Sequence, residues 1–402
     1  MNWALTRWWC MDPYLDAGSL DPTHPLTAPK LANLAQASAD QLQRTVQTSA
    51  LPSKLILQTT DVCNLDCPMC QLPAAEKRKH MSESLFRRVV DQLFSTLVEL
   101  HPTNLGEPLA SPWFGDLCAA MHQYGVVLDL TTNGTLLDPR RIDWILPIAR
   151  DIKVSFDGAT PATFERLRRN ARFDQVCANV RALAAGLRSV TVRRPVLALQ
   201  MTLMRSNYRE LPELIRLAQR LGAQRVKAYH LFSFRPDMDE ESLLLEPGLW
   251  EPVLADALQV GADLGIELQL AEPMSTDLAA VSHGVVCHLP WHETWVDLDG
   301  SVLPCHSHGG ERAGDLTLTP FSAIWNGELY QRIRQGFAIR RPTWNCDGCG
   351  MTCRKAFEHA AVPYDPASFL SPQWRQANPG PRPAVRWSGR MKQFDLSHRR
   401  QG

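Results

Sequence analysis

The chain has 402 residues and equal numbers of acidic and basic side chains, 42 of each, for a formal net charge of zero. No global field therefore points to nucleic acid or an anionic membrane surface as a partner, and no window approaches the ~20 apolar residues of a membrane span. The length suffices for two or three domains with a substantial core, and eleven cysteines in so long a chain predict metal ligation in a reducing cytoplasm rather than a disulfide framework.

Residues 1–53 are read as an N-terminal extension. They are Trp-rich at the start, lack the apolar stretch of a secretory signal, and show only a weak helical pattern over 31–51. From Lys54 onward strand-like runs alternate with helical ones. The runs are Leu55–Thr60, Val98–His101, Val126–Thr131, Ile152–Phe156, Val196–Leu203 and Arg225–Leu231. Between them apolar residues recur at three- and four-residue spacing, as in Leu85, Val89, Val90, Leu93, Phe94 and Leu97, with Ser82 the expected N-cap and Glu83 in the first turn. Six such units predict a parallel sheet with helices packed outside, because parallel strands need crossover connections. The expected class is α/β, a partial (β/α)6 TIM-like barrel over 54–275, with its chemistry beyond the C-terminal ends of the strands.

Immediately after the first strand comes Asp61-Val-Cys-Asn-Leu-Asp-Cys-Pro-Met-Cys70, which spaces Cys63, Cys67 and Cys70 as C-x3-C-x2-C. Three thiolates in eight residues suit an iron–sulfur cluster or zinc. Three is one short of a closed set, so one metal position stays open to a ligand. The motif and its place resemble the radical S-adenosylmethionine (SAM) superfamily. The resemblance implies a [4Fe–4S] cluster whose open iron takes SAM, reductive cleavage to a 5′-deoxyadenosyl radical, and abstraction of a substrate hydrogen.

Further motifs carry the resemblance along the chain. Gly106-Glu107-Pro108 is similar to the family's GGEP motif with Leu105 in place of the first glycine, which implies a hold on the SAM amino group through backbone and acid. Thr132-Asn133-Gly134 resembles its TNG turn. Val154-Ser-Phe-Asp-Gly158, followed by a helix with Arg168, resembles its SxDG strand end, implying Ser155 and Asp157 at the ribose hydroxyls and Arg168 at the SAM carboxylate. Arg168 reads equally well as one of a solvated trio with Arg166 and Arg169. Gln200 and Met201 are further candidates to face SAM, and Met69 stands where the family often packs an aromatic residue on adenine.

A second cysteine group lies in 276–356. An Asp-Gly turn between Val296 and Cys305 predicts a β-hairpin, with Cys287 before it and Cys305 at its exit. Cys346 and Cys349 form a C-x2-C pair, and Cys353 comes shortly after. Four thiolates make a closed site for zinc or [4Fe–4S]. The arrangement resembles the SPASM domain of one radical SAM branch, which implies a small cysteine-rich auxiliary-cluster domain. The cysteine series is shorter than in full SPASM domains, so one auxiliary cluster is expected on Cys287, Cys305, Cys346 and Cys349, with Cys353 a possible substitute. His306 and His308 are left out of the ligand set. Cys118 and Cys177 are expected to be buried, and would be tested as hydrogen donors only in an epimerase. Over 354–402 nine Lys and Arg face three Asp and Glu, and 357–402 is read as a basic, proline-rich tail without chemistry.

The expected activity is that of a radical SAM oxidoreductase-type enzyme. It would use one auxiliary cluster to oxidise or epimerise a small, sugar- or aminocyclitol-like substrate, with a flavodoxin- or ferredoxin-type electron donor. The preference for a small molecule rests on residues 1–53 being too short for the leader-binding module of many peptide-modifying relatives. A maturase of a ribosomally made peptide is the alternative, and a zinc-binding structural protein is the alternative of another class.

Overall fold

The computed structural model describes residues 27–72, 79–190, 195–243, 246–270, 287–305, 310–339 and 372–377. Its frame is one ten-stranded sheet in the order β10-β9-β8-β1-β2-β3-β4-β5-β6-β7. The first seven strands are β1 (Lys54–Leu57), β2 (Glu99–His101), β3 (Val127–Thr132), β4 (Ala149–Ser155), β5 (Val196–Leu203), β6 (Arg225–His230) and β7 (Glu267–Leu270). All pair in parallel. The six expected strands are β1 to β6. The four-residue β7 comes after α8 (Pro247–Leu264).

Strand alternation divides the wall into two faces. Leu55, Leu100, Leu128, Leu130, Ile152, Val154, Leu199 and Val226 point outward into one continuous core. Helices cover that face, among them α2 (Glu83–Leu93), α3 (Phe114–Tyr124), α4 (Pro139–Ile145), α5 (Pro161–Leu167), α6 (Phe173–Ser189) and α7 (Leu211–Leu221), whereas α1 (Ala28–Gln43) packs its Leu34 separately on Val98, just before β2. In α2 the periodicity does what it predicts: Leu85, Phe86, Val89 and Leu93 are buried, and the Ser82 hydroxyl caps Leu85 N. Cys118 and Cys177 are buried in this outer core, on α3 and α6. They are therefore turned away from the barrel interior.

The expected hairpin is β8 (Glu293–Val296) with β9 (Ser301–Leu303). Its turn needs Gly300, at φ 90°, where a Cβ would lie 2.7 Å from the Thr317 side chain. The sequence does not reveal where this hairpin goes. β8 pairs in parallel with β1, Lys54 opposite Glu293, so the hairpin and β10 (Gly314–Asp315) extend the barrel sheet past its first strand. Lys54 ties the join, 2.9 Å from Glu99 and 3.8 Å from Glu293. Burial opposes its charge, but the surrounding carboxylates outweigh that and hold the ammonium protonated. Outside the hairpin, the helix Glu328–Ala338 sends Arg334 inward, where it donates to the carbonyls of Pro290 (2.9 Å) and Trp325 (2.9 Å) and lies over the Trp325 ring.

Candidate functional site

A cavity of about 360 Å³ opens beyond the C-terminal ends of the strands, and Cys63, Cys67 and Cys70 all line it. The loop carrying them is fixed by its own backbone. Cys70 N donates to Cys67 O (3.0 Å), and Glu107 N donates to Val62 O (2.9 Å). Donors converge on the sulfurs: Leu65 N on Cys63 Sγ (3.4 Å), Asn133 Nδ2 on the same sulfur (3.8 Å), and Arg168 Nη1 on Cys67 Sγ (3.8 Å). Burial pushes the Cys67 thiol up to about 11 and raises that of Cys63. Deprotonation therefore needs a compensating cation, which a bound metal centre supplies. Among the described residues, no three His, Cys, Asp or Glu side chains share the site of a single metal ion.

Gly106 explains how two loops meet under the cysteines. Its φ is 80°, and a Cβ there would lie 2.7 Å from Thr60 O. Only glycine admits this approach. Next to it, Glu107 is buried and its carboxylate is fully engaged. It accepts from Leu109 N (3.1 Å), Thr132 Oγ1 (2.7 Å) and Asn133 N (2.7 Å). The side chain thus joins its loop to the next strand's Thr-Asn-Gly turn, and Glu107 also lines the cavity. Pro108 starts a short 3-10 turn and is buried behind that wall.

Asp157 is not among the residues that line the cavity. It is fully buried, accepts from Thr202 N (2.7 Å), and pairs with Arg168 Nε at 2.5 Å. Each oxygen thereby has a protein partner. Arg168 is no solvated surface residue. It ends α5 and lines the cavity. Burial works against its charge, yet Asp157 and then Cys67 hold it firmly protonated. Arg166 instead reaches Ser206 O from an exposed position. Ser155, Asn133 and Gln200 line the cavity, as does Met69, which packs on a cluster containing Leu167, Met204 and Leu231. Met201 does not: one step along β5 from Gln200, it faces the outer core.

The cavity also gathers residues that sequence reasoning passed over. Tyr229, whose Oη lies 3.4 Å from Gln200 Nε2, lines it together with His101, Phe232 and Phe234. The signal for Tyr229 was present in the period of β6, which puts it on the inner face across from Thr202. His101 is the inner-face residue that ends β2, with Nδ1 3.4 Å from Asp129.

The second cysteine group is partly placed. Cys287 precedes β8 and packs against Trp291, Leu329, Ile333 and Phe337, while Cys305 lies just past β9. Both are half-buried. Because β8 runs parallel to β1 and β9 returns antiparallel, these cysteines sit at the N-terminal end of the sheet, opposite the Cys63 loop. Cys346, Cys349, Cys353, His306 and His308 lie outside the described residues.

Residues 57–218 match the Radical SAM superfamily, and residues 287–350 match the SPASM iron–sulfur cluster-binding domain. The chain belongs to the radical SAM superfamily, with a SPASM domain behind the barrel. It is 26% identical to a PqqA peptide cyclase of Gluconobacter oxydans (strain 621H), over 80% of this chain and 91% of the relative. It is 23% identical to the tungsten-containing aldehyde ferredoxin oxidoreductase cofactor-modifying protein of Pyrococcus furiosus, over 70% and 82%. In fold it is similar to Streptococcus suis SuiB bound to S-adenosylmethionine, with TM-score 0.58, 14% identity, and coverage of 80% and 76%. The radical SAM loop of this chain fits the cluster its family binds: three thiols on one cavity, with an arginine and two N–H donors turned toward two of them.

Proposed function

We propose that this radical SAM enzyme matures a ribosomally made peptide. PqqA peptide cyclases recur among its relatives, and the match to the Gluconobacter oxydans protein, spanning 91% of that relative, carries the reading. SuiB has been captured with its precursor peptide, and this chain has the same fold. A sugar- or aminocyclitol-like substrate has less support, since that expectation rested on the length of residues 1–53 alone.

Cys63, Cys67 and Cys70 would hold a [4Fe–4S] cluster, which together with SAM would supply one-electron cleavage of the sulfonium and hence a 5′-deoxyadenosyl radical. The chain's own residues bind and orient. Arg168, held by Asp157, takes the SAM carboxylate as a charge-assisted pair. Backbone at Leu105 and Gly106 receives the amino group, Ser155, Asn133 and Gln200 serve as polar contacts, and Met69 packs on the adenine. Cys287, Cys305, Cys346 and Cys349 hold one auxiliary [4Fe–4S] cluster, with Cys353 as substitute. A flavodoxin- or ferredoxin-type protein delivers the electron, and the site of action is the cytoplasm. No helix among the described residues is long and apolar enough to cross a membrane.

The test is incubation of the reconstituted enzyme, SAM and dithionite with the short peptides encoded beside its gene. The reading expects a peptide to lose two hydrogens as 5′-deoxyadenosine is released. Unchanged peptides, alongside turnover of a sugar-like small molecule, would overturn it.

A further inference from the structure

Barrel interiors are ordinarily filled by branched apolar side chains, but the inner face of this one is charged. Most of its cations are matched. Lys54 lies 2.9 Å from Glu99, Lys153 pairs with Asp129, and Arg225 lies 2.8 Å from Glu267 and 3.3 Å from Asp151. Lys227 differs. It is half-buried on β6, on the same face as Arg225 and Tyr229, and has no ion pair or hydrogen bond among the described residues. Its register partner on β5 is Gln200, which pairs in turn with Ser155 on β4. Gln200, Ser155 and Tyr229 all line the cavity. Lys227 therefore stands at the floor of the radical SAM cavity, between it and the lower bore.

An ammonium withdrawn from water without its own counter-charge is costly. Burial, and after it the like charge of Lys153, lowers the Lys227 pKa, with Asp129, Asp151 and Lys54 also in range. Asp129 is already met by Lys153 and His101, and Asp151 by Arg225. The five acids of the bore (Glu99, Asp129, Asp151, Glu267 and Glu293) equal its five bases (Lys54, Arg150, Lys153, Arg225 and Lys227) in number, but of these bases Lys227 makes no direct ion pair among the described residues. A single unpaired ammonium suits a singly charged acid, whereas a phosphate dianion is usually met by several donors.

We propose that Lys227 anchors a carboxylate of the substrate as it enters the barrel from the SAM cavity. The proposal rests on the peptide reading for its occupant, an acidic side chain or C-terminus, and on the bore alone for the charge. The test uses the full-length, cluster-loaded protein and two probes, N-acetyl-glutamate α-amide and N-acetyl-glutamine α-amide, which differ only in the carboxylate. Amine-specific labelling of Lys227 is followed by peptide mass spectrometry, with exposed Lys79 as the internal control. The acid probe is expected to slow labelling of Lys227 on the order of tenfold, the value of a charge-assisted contact, with no effect from the amide and none at Lys79. Lys227→Met should lose acid-probe binding by saturation-transfer NMR, and Lys227→Arg should keep it, with SAM affinity unchanged in both as the check on folding. Equal protection by the two probes, or undiminished acid binding in Lys227→Met, would overturn the anchor. Protection without peptide turnover removes the peptide reading and leaves the anchor, and turnover without protection does the reverse.

Discussion

Glu107 and Asp157 show how a buried carboxylate can shape a site by tying separate segments together. Glu107 joins one loop to the next, and Glu107→Gln would keep the shape but spoil the join. Whichever way the amide is turned, its NH2 meets either Leu109 N–H or Asn133 N–H. One backbone donor is then orphaned, at a cost of about 1–3 kcal/mol, to be read as a lower urea midpoint. Sequence alone could not separate these roles. The Gly-Glu-Pro and Ser-x-Asp-Gly patterns mark the right places, but the partners Thr132 and Arg168 are fixed only when separate strands and helices meet. His230 offers a second test. Its ring packs on Trp250 at 4.6 Å, and neither ring nitrogen has a hydrogen bond. Burial lowers its pKa to about 4. The unfolded chain takes up this proton first, so the contribution of a neutral His230 is complete above about pH 6.5 and is lost as pH falls toward 4. His230→Phe should therefore flatten the loss of stability between those limits, by up to about 3 kcal/mol, and raise stability slightly at neutral pH. A parallel pH dependence in wild type and variant would contradict this.

At the scale of elements, β3 to β6 are six to eight residues long and show their period, whereas β1 and β2, of four and three residues, were legible from the apolar runs around them and the amphipathic helices that follow. Only four residues make up β7, too few to carry a pattern. The hairpin was legible from its Asp-Gly turn, but its docking beside β1 joins residues some 239 positions apart and leaves no local trace. Arg334 was equally hidden, since nothing in its helix marks it as buried. Three carbonyls depend on it: Val46, Pro290 and Trp325. Burial lowers its pKa to about 10, so it remains charged at neutral pH. Arg334→Ala should destabilise the protein by about 2–4 kcal/mol, the cost of stranding these groups, measured by denaturant unfolding. Arg334→Lys should fall between the two, because one ammonium cannot reproduce the fork.

Across the whole molecule, Cys287 and Cys305 stand at the opposite end of the sheet from Cys63, Cys67 and Cys70, with a charged bore between them. In the proposed mechanism this arrangement separates radical generation from a later oxidation of the substrate radical. The proposal that an auxiliary cluster accepts an electron from the substrate makes Cys287 dispensable for SAM cleavage but necessary for product. Cys287→Ala should release 5′-deoxyadenosine at the wild-type rate while forming no oxidised product, and full product yield would exclude electron acceptance. The most direct measurement of the central claim is made on anaerobically reconstituted protein: iron and sulfide content, together with dithionite-driven release of 5′-deoxyadenosine from SAM. The account predicts about eight irons, four for each cluster, with release abolished in Cys67→Ala. Zinc in place of iron, and SAM left intact, would contradict it and leave the barrel a structural protein.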